Sequence, residues 1–339
     1  MSVARRISLA LVLAVLPVVC WMSCDKGVEP KGEPAQYQFY FKDMDSSFYF
    51  SYNPESGVLD SFALPFATGG CRASADGRAV YVSTAGGIEE VTVSTTSRRL
   101  IWPHQGMVSP SPDGRLIAVQ DGGIHILRLR DLSVVYEDTL ALYYGVFSAD
   151  SRSFYSMNYD LEAGTTTVYR IRISPQIRVD RKLFVGTIVE LLPAADERRW
   201  YMSGGGYRLM VYDTGATVWA KDTIIEPGSI RIALSPDGRY LFVTNPGSAF
   251  GYEGTVDPPY TISVFDAVTL DKVRDISTDG IYGKVPIREI AVSPDSKWLM
   301  GLSDAGWIFA SVRLDDLSIE RFGIIPHRYM VGLTIQSMR

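Results

Sequence analysis

The chain repeats itself, and the repeat limits the fold more tightly than any other feature. Leu234–Asn245 reads LSPDGRYLFVTN: an apolar lead, Ser-Pro-Asp-Gly, a basic residue, then a run of large aliphatic and aromatic side chains. Relatives of this stretch are ASADGRAVYVST from Ala73, PSPDGRLIAVQD from Pro110, FSADSRSFYSMN from Phe147, PAADERRWYMSG from Pro193 and VSPDSKWLMGLS from Val292. Their aspartates stand at Asp76, Asp113, Asp150, Asp196, Asp237 and Asp295, separated by 37, 37, 46, 41 and 58 residues. A unit of roughly 40 residues with extendable loops marks a repeat architecture, in which each copy buries its apolar face against the next.

Each unit reads as four short strands. Around Asp237, a strand at Ile230–Leu234 precedes the turn, the apolar strand Tyr240–Thr244 follows it, and Thr261–Asp266 and Lys272–Ile276 complete the set. Proline presets φ at the second turn position, and Asp and Gly tolerate the tight reversal. Gly-containing connections at Ala85-Gly86-Gly87, Asp121-Gly122-Gly123, Gly204-Gly205-Gly206 and Ala305-Gly306 suit hairpins between second and third strands. No helical period interrupts the pattern, so the expected fold class is all-β. A four-stranded sheet of this length cannot bury both faces alone, and stacking such sheets around an axis gives a β-propeller. LSPDGRYLFVTN followed by YTISVFDAVTLDKVRDI resembles the bacterial YVTN-type β-propeller repeat, a relative of WD40-like propellers. Residues 234–276 carry that motif with one long insertion, and degenerate copies extend over 37–339. The resemblance implies a propeller and speaks only weakly to activity, because such propellers serve binding, scaffolding and occasional enzymatic roles.

Six turn motifs give six blades. Tyr37–Phe41, Phe48–Tyr52 and Val58–Leu64 supply three further strands, with FYFSYNPESGVLDSF paralleling ISVFDAVTLDKVRDI. The C-terminal YMVGLTIQ at Tyr329–Gln336 aligns with Ile287–Ser293 and can supply the fourth. The expectation is a seven-bladed β-propeller closed by pairing of the C-terminal strand with the N-terminal strands, which leaves no open edge between first and last blades.

Ahead of the repeats, Arg5 and Arg6 precede the apolar run Ile7–Val19, followed by small or polar residues. That order is typical of a secretory signal, and the run is too short to favour a membrane-spanning helix. Trp21-Met22-Ser23-Cys24-Asp25 resembles the lipobox of bacterial lipoproteins, which implies lipidation at Cys24 and a hold on a membrane surface. Residues 1–24 are thus expected to be a lipoprotein-type signal peptide, the charged and Pro/Gly-rich 25–36 a tether, and 37–339 a single propeller domain. Cys71 would then lack an intramolecular disulfide partner and is expected to be a buried, inert thiol.

The formal charge of -5 and the absence of a Lys/Arg-rich block argue against nucleic acid as a partner. In a propeller of this order the turns carrying the aspartates share one face. The inter-blade connections and the insertions Asn245–Tyr260, Ser277–Pro286 and Asn158–Thr165 share the other, and loops on a rigid scaffold are the usual bearers of binding. Candidate ligand-binding residues there are Trp102, His104, Tyr144, Tyr159, Phe250, Tyr252, Tyr282, Lys284, His327 and Arg328, weighed against the packing role that many propeller aromatics have. The repeated aspartates are expected to be structural. His104, His125 and His327 show no metal-ligand spacing, and no G-x-S-x-G elbow or P-loop occurs, so no catalytic residue, metal or cofactor is expected. His125 reads as a partly exposed strand residue.

The favoured functional reading is an exported, lipid-anchored module of a bacterial cell envelope, presenting its loop-rich face to a protein, peptide or glycan partner. The alternative is an enzyme similar to the seven-bladed lactonase family, acting on a sugar lactone at the channel mouth, with His104, His327, Arg231 and Arg288 as first candidates. A quinone-cofactor redox subunit ranks last, without a CxxCH motif or a cofactor-forming Trp pair.

Overall fold

Seven gaps between sheets, rather than one centre, hold the apolar side chains of this protein. The computed structural model describes residues 37–43, 48–63, 67–74, 76–140, 144–204, 208–224, 231–246, 260–280, 283–303, 308–324 and 330–337. The expected signal peptide, Cys24 and the tether lie outside them. All described regular structure falls in the unit Ala35–Arg339, and it is entirely strand and turn.

The strands form seven antiparallel four-stranded sheets. Blade one holds β1 (Tyr37–Asp43), β2 (Phe48–Tyr52) and β3 (Leu59–Ala63). Blade two is β4 (Ala67–Ala73), β5 (Ala79–Thr84), β6 (Gly87–Thr92) and β7 (Arg98–Trp102). Blade three is β8 (Met107–Pro110), β9 (Leu116–Gln120), β10 (Ile124–Arg128) and β11 (Val134–Asp138). Blade four is β12 (Tyr144–Phe147), β13 (Ser153–Asp160), β14 (Thr165–Arg172) and β15 (Arg178–Val185). Blade five is β16 (Ile188–Pro193), β17 (Arg199–Gly204), β18 (Arg208–Asp213) and β19 (Val218–Ile224). Blade six is β20 (Ile232–Leu234), β21 (Tyr240–Pro246), β22 (Tyr260–Asp266) and β23 (Lys272–Ser277). A two-stranded ribbon, β24 (Asp279–Gly280) with β25 (Gly283–Lys284), precedes blade seven: β26 (Ile287–Val292), β27 (Trp298–Ser303), β28 (Ile308–Arg313) and β29 (Ser318–Ile324). The last strand, β30 (Met330–Ser337), joins blade one.

The chain is therefore an all-β, seven-bladed propeller, and the ring closes as the sequence leads one to expect. β30 lies antiparallel to β1, with Tyr37 opposite Ser337, Phe39 opposite Ile335 and Asp43 opposite Met330, and one break in register after Tyr40. Within the described residues the strands expected at Val58–Leu64 and Tyr329–Gln336 are Leu59–Ala63 and Met330–Ser337; Leu64 and Tyr329 lie outside the described residues. The insertion after blade six contains the ribbon β24–β25, whose pattern is too short to read from sequence.

First strands of successive blades contact one another, so they line the axis. Each gap between neighbouring blades carries its own apolar cluster. Phe39, Phe41, Phe50 and Tyr52 meet Trp298, Met300, Leu302 and Phe309 where blade one closes on blade seven. Tyr40 and Tyr49 meet Cys71, Val80 and Val82 between blades one and two, and the remaining gaps are filled in the same way. Second strands face a neighbour on both sides. AVYVST of β5 and WLMGLS of β27 are accordingly buried at all six positions, which is why these segments read as unbroken apolar runs rather than alternating ones. Cys71 is fully buried, as expected for an inert thiol.

The repeated turn is a hydrogen-bond device. Ser74, Ser111, Ser148, Ser235 and Ser293 each donate Oγ–H to the carboxylate two residues on, at 2.6–2.8 Å. Each also accepts the N–H five residues on. The carboxylate in turn accepts the N–H two residues after itself, in all six copies. The repeated aspartates thus hold their own turns, and the position after each is left-handed, with φ between 56° and 72°. Glycine meets that demand at Gly77, Gly114 and Gly238. In the other three blades Ser151, Glu197 and Ser296 occupy it, and each reaches the preceding blade. Ser151 Oγ accepts Asp113 N–H at 3.0 Å, and Ser296 Oγ accepts Asp237 N–H at 3.1 Å. Glu197 accepts Tyr155 O–H at 2.7 Å and pairs with Arg170. A left-handed L-residue costs about 1–2 kcal/mol, and these inter-blade bonds offset it.

Two outcomes follow from this architecture. Removing the last eleven residues takes β30 away and leaves the β1 edge and the blade-one to blade-seven cluster open, so the truncated chain should melt far below the intact one or fail to fold; equal melting midpoints would refute the closure. Burial drives the Tyr40 and Tyr155 phenols up to about 12. A proton held to about 12 in the native state but released near 10 on unfolding stabilises fully below pH 10 and progressively less above it. The urea midpoint should therefore decline as pH rises from 10 to 12; a flat midpoint across that window would contradict it.

Candidate functional site

Two gatherings of polar side chains bear on function, one at the axis and one in the gap between blades two and three. At the axis, the residue six places before the turn aspartate is Glu190, Arg231 and Glu289 in blades five, six and seven. These three line a central cavity of about 1240 Å³. The volume is above the usual range for small-molecule sites, roughly 300–1,000 Å³. Glu190 is buried: Oε2 accepts Ile232 N–H at 2.6 Å, and Oε1 stands 3.6 Å from Arg231 Nη1. The carboxylate thus links the first strands of blades five and six. Arg231 is fixed through its own backbone, which exchanges hydrogen bonds with Thr244. Across the cavity, Gln120 Nε2 donates to Ser156 Oγ at 3.1 Å, Ser109 Oγ donates to Gly145 O at 2.7 Å, and Arg72 donates to Cys71 O at 3.1 Å. Val108, Val146, Leu192, Ile232 and Ile290 supply apolar wall between these groups. Gly145 is required here because a Cβ would lie 2.1 Å from the Phe154 ring.

The second place is built on Trp102 at the end of β7. Its indole N–H donates to Asp121 Oδ2 at 2.7 Å, and His125 Nε2 meets Asp121 Oδ1 at 3.1 Å. The His125 ring packs on Trp102 with centroids 4.3 Å apart, and His104 stands edge-on to the same indole at 6.2 Å. Both Asp121 oxygens are engaged, so the carboxylate serves as a tie between the loop leaving blade two and the β9–β10 hairpin of blade three. His125 is partly exposed, as its alternating strand suggests, its side chain 20% exposed. Its Nδ1 is buried without a hydrogen-bond partner.

Of the residues singled out from the sequence, Trp102 and His104 do meet. Tyr144 is the first residue of β12, and Tyr159 lies in β13, opposite Thr166 in the long hairpin of blade four. Lys284 pairs with Asp279 in the ribbon. Phe250, Tyr252, Tyr282, His327 and Arg328 lie outside the described residues. Among the residues named for a lactonase, Arg231 stands in the cavity, and Arg288 falls at the register break of β26.

Glu190, Glu289, Gln120 and Asp121 were not anticipated. For the first two a signal existed: aligning the repeats on their aspartates puts Glu, Arg and Glu at one position of a largely apolar strand. Nothing local in sequence pairs Asp121 with Trp102, because their meeting depends on how two blades stack. Among the described residues no group of three or more His, Cys, Asp or Glu side chains is arranged to hold a metal ion.

This architecture is a seven-bladed β-propeller, and solved structures share the fold. A protein from Lactobacillus plantarum superposes with a TM-score of 0.63 at 14% identity, covering 88% of this chain and 98% of that one. The β-propeller domain of Cps50 (Swd1) from Myceliophteria thermophila gives 0.61 at 14% identity, covering 78% and 88%. Dihydro-heme d1 dehydrogenase NirN gives 0.58 at 16% identity, covering 90% and 67%. At these identities the likeness is one of fold. No protein-family model matches the sequence, and no curated protein does.

Replacing Asp121 with Ala should remove the acceptor of the Trp102 indole and cost about 1–3 kcal/mol in urea unfolding, with a red shift in tryptophan emission. That shift should vanish in a Trp102→Phe background; a shift that persists there would assign it to another indole.

Proposed function

We propose that this protein is a binding propeller of the YVTN-repeat type, held at a bacterial envelope membrane through a lipid on Cys24, that takes an extended peptide segment of a partner into its axial cavity. The observation that carries the reading is the Glu190–Arg231 pair on the cavity wall, with Glu289 at the equivalent position of the next blade. Both charge signs, set among apolar side chains on rigid first strands, suit a chain that alternates charged and apolar groups. Sugar recognition leans on open aromatic faces, whereas Phe147 and Tyr201 on this wall are both about 4% exposed. Tyr201 also commits its hydroxyl to Ala267 O at 2.9 Å. The loop-bearing face, with Trp102 and His104 at one gap and the insertions 245–260 and 277–286 at others, would form the rim.

The test is thermal melting with a library of short peptides carrying both charges, beside a panel of oligosaccharides and sugar lactones. A peptide at about a hundred times its Kd adds roughly 2.7 kcal/mol of stability, which raises the midpoint by a few degrees. The rise should disappear in Arg231→Ala and shrink in Glu190→Gln, and the bound peptide should slow hydrogen exchange in 245–260 and 277–286. A peptide response unchanged in Arg231→Ala, or a response to oligosaccharides alone, would sink the reading. Arg231 beside a buried carboxylate is also the one observation in favour of the lactonase alternative; turnover of a lactone that is lost in Arg231→Ala would replace binding with that chemistry.

A further inference from the structure

Every propeller leaves the fourth strand of each blade with a free edge, and such edges invite pairing unless they are short, bulged or charged. In this protein β7, β11, β19, β23 and β29 each have a break in register against their third strand. β3 runs unbroken for only five residues. β15 differs from all of them: its eight residues pair with β14 at eight consecutive positions with no break. One face of this edge is also apolar apart from Arg181 at its centre. Val179, Leu183 and Val185 are 41%, 60% and 91% exposed, and Ile177 just before the strand is 50% exposed.

The sequence of this edge is complementary to itself. In an antiparallel pair related by a two-fold axis normal to the sheet, residues opposite each other share a face. With the axis through Arg181, Val179 lies opposite Leu183 of the second copy, and Ile177 lies opposite Val185, so every apolar residue of the exposed face meets another. On the other face Asp180 lies opposite Lys182, twice, and opposite charges across a strand pair are favourable. The one like-charged pair is Arg181 with itself, at the centre of the exposed apolar face. Asp180 is held in place by Arg172 at 3.1 Å and Arg178 at 2.7 Å, and Lys182 leans over the Tyr212 ring at 5.4 Å.

We propose that β15 is a docking edge for a second copy of this chain, the two blades joining into one eight-stranded sheet centred on Arg181. The contact is narrow, so the dimer is a weak one in solution.

Analytical ultracentrifugation of the full chain from about 1 µM to about 1 mM, the range of weak interfaces, should show a concentration-dependent dimer. Asp180→Lys sets lysine against lysine twice, and Lys182→Asp sets aspartate against aspartate twice. Each should weaken association at least tenfold, and the two together should restore it. Arg181→Thr, which removes the central repulsion, should tighten it several-fold, and Leu183→Lys should abolish it. Melting curves establish that each variant is folded. A folded chain that remains monomeric throughout, a dimer indifferent to Leu183→Lys, or a double exchange that does not restore pairing overturns the proposal.

Discussion

Packing between neighbouring sheets is the interaction on which everything else rests. A blade of four strands has two faces and no helix to cover either, so its apolar side chains leave water only against the blades before and after it. Each gap therefore behaves as a small hydrophobic core, and fully burying one of its large side chains contributes about 1.5–3 kcal/mol. The same logic requires closure. Without β30 beside β1, the aromatic cluster of Phe39, Phe41 and Phe309 would face solvent along a whole blade.

Hydrogen bonds reinforce the gaps where the apolar contacts end. The Ser-x-Asp turns hold themselves, and in blades four, five and seven the left-handed position has been given to a side chain that bonds the neighbouring blade. Backbone strain and inter-blade fastening are thus placed at one residue. Asp121 does comparable work on the opposite face, fixing both the Trp102 indole and the His125 ring.

First strands have the weakest packing demands, because the residues facing the axis have no opposing sheet to satisfy. That freedom lets the charged side chains Glu190, Arg231 and Glu289 line the cavity. The outer strands have a complementary freedom, and most use it to break their edges with a bulge; β15 alone combines length, unbroken register and an apolar face.

The all-β class, the seven blades, the structural role of the aspartates and the closing strand were legible along the chain, because each depends on a local period or on a turn that must recur in every blade. The tie of Asp121 to Trp102, the facing of Glu190 and Arg231, the ribbon β24–β25 and the unguarded state of β15 were decided by the tertiary structure alone. They join residues of different blades or depend on the register between strands; aligning the repeats puts Glu190 and Arg231 at one position of their strands, but only the stacking of the blades brings the two side chains together.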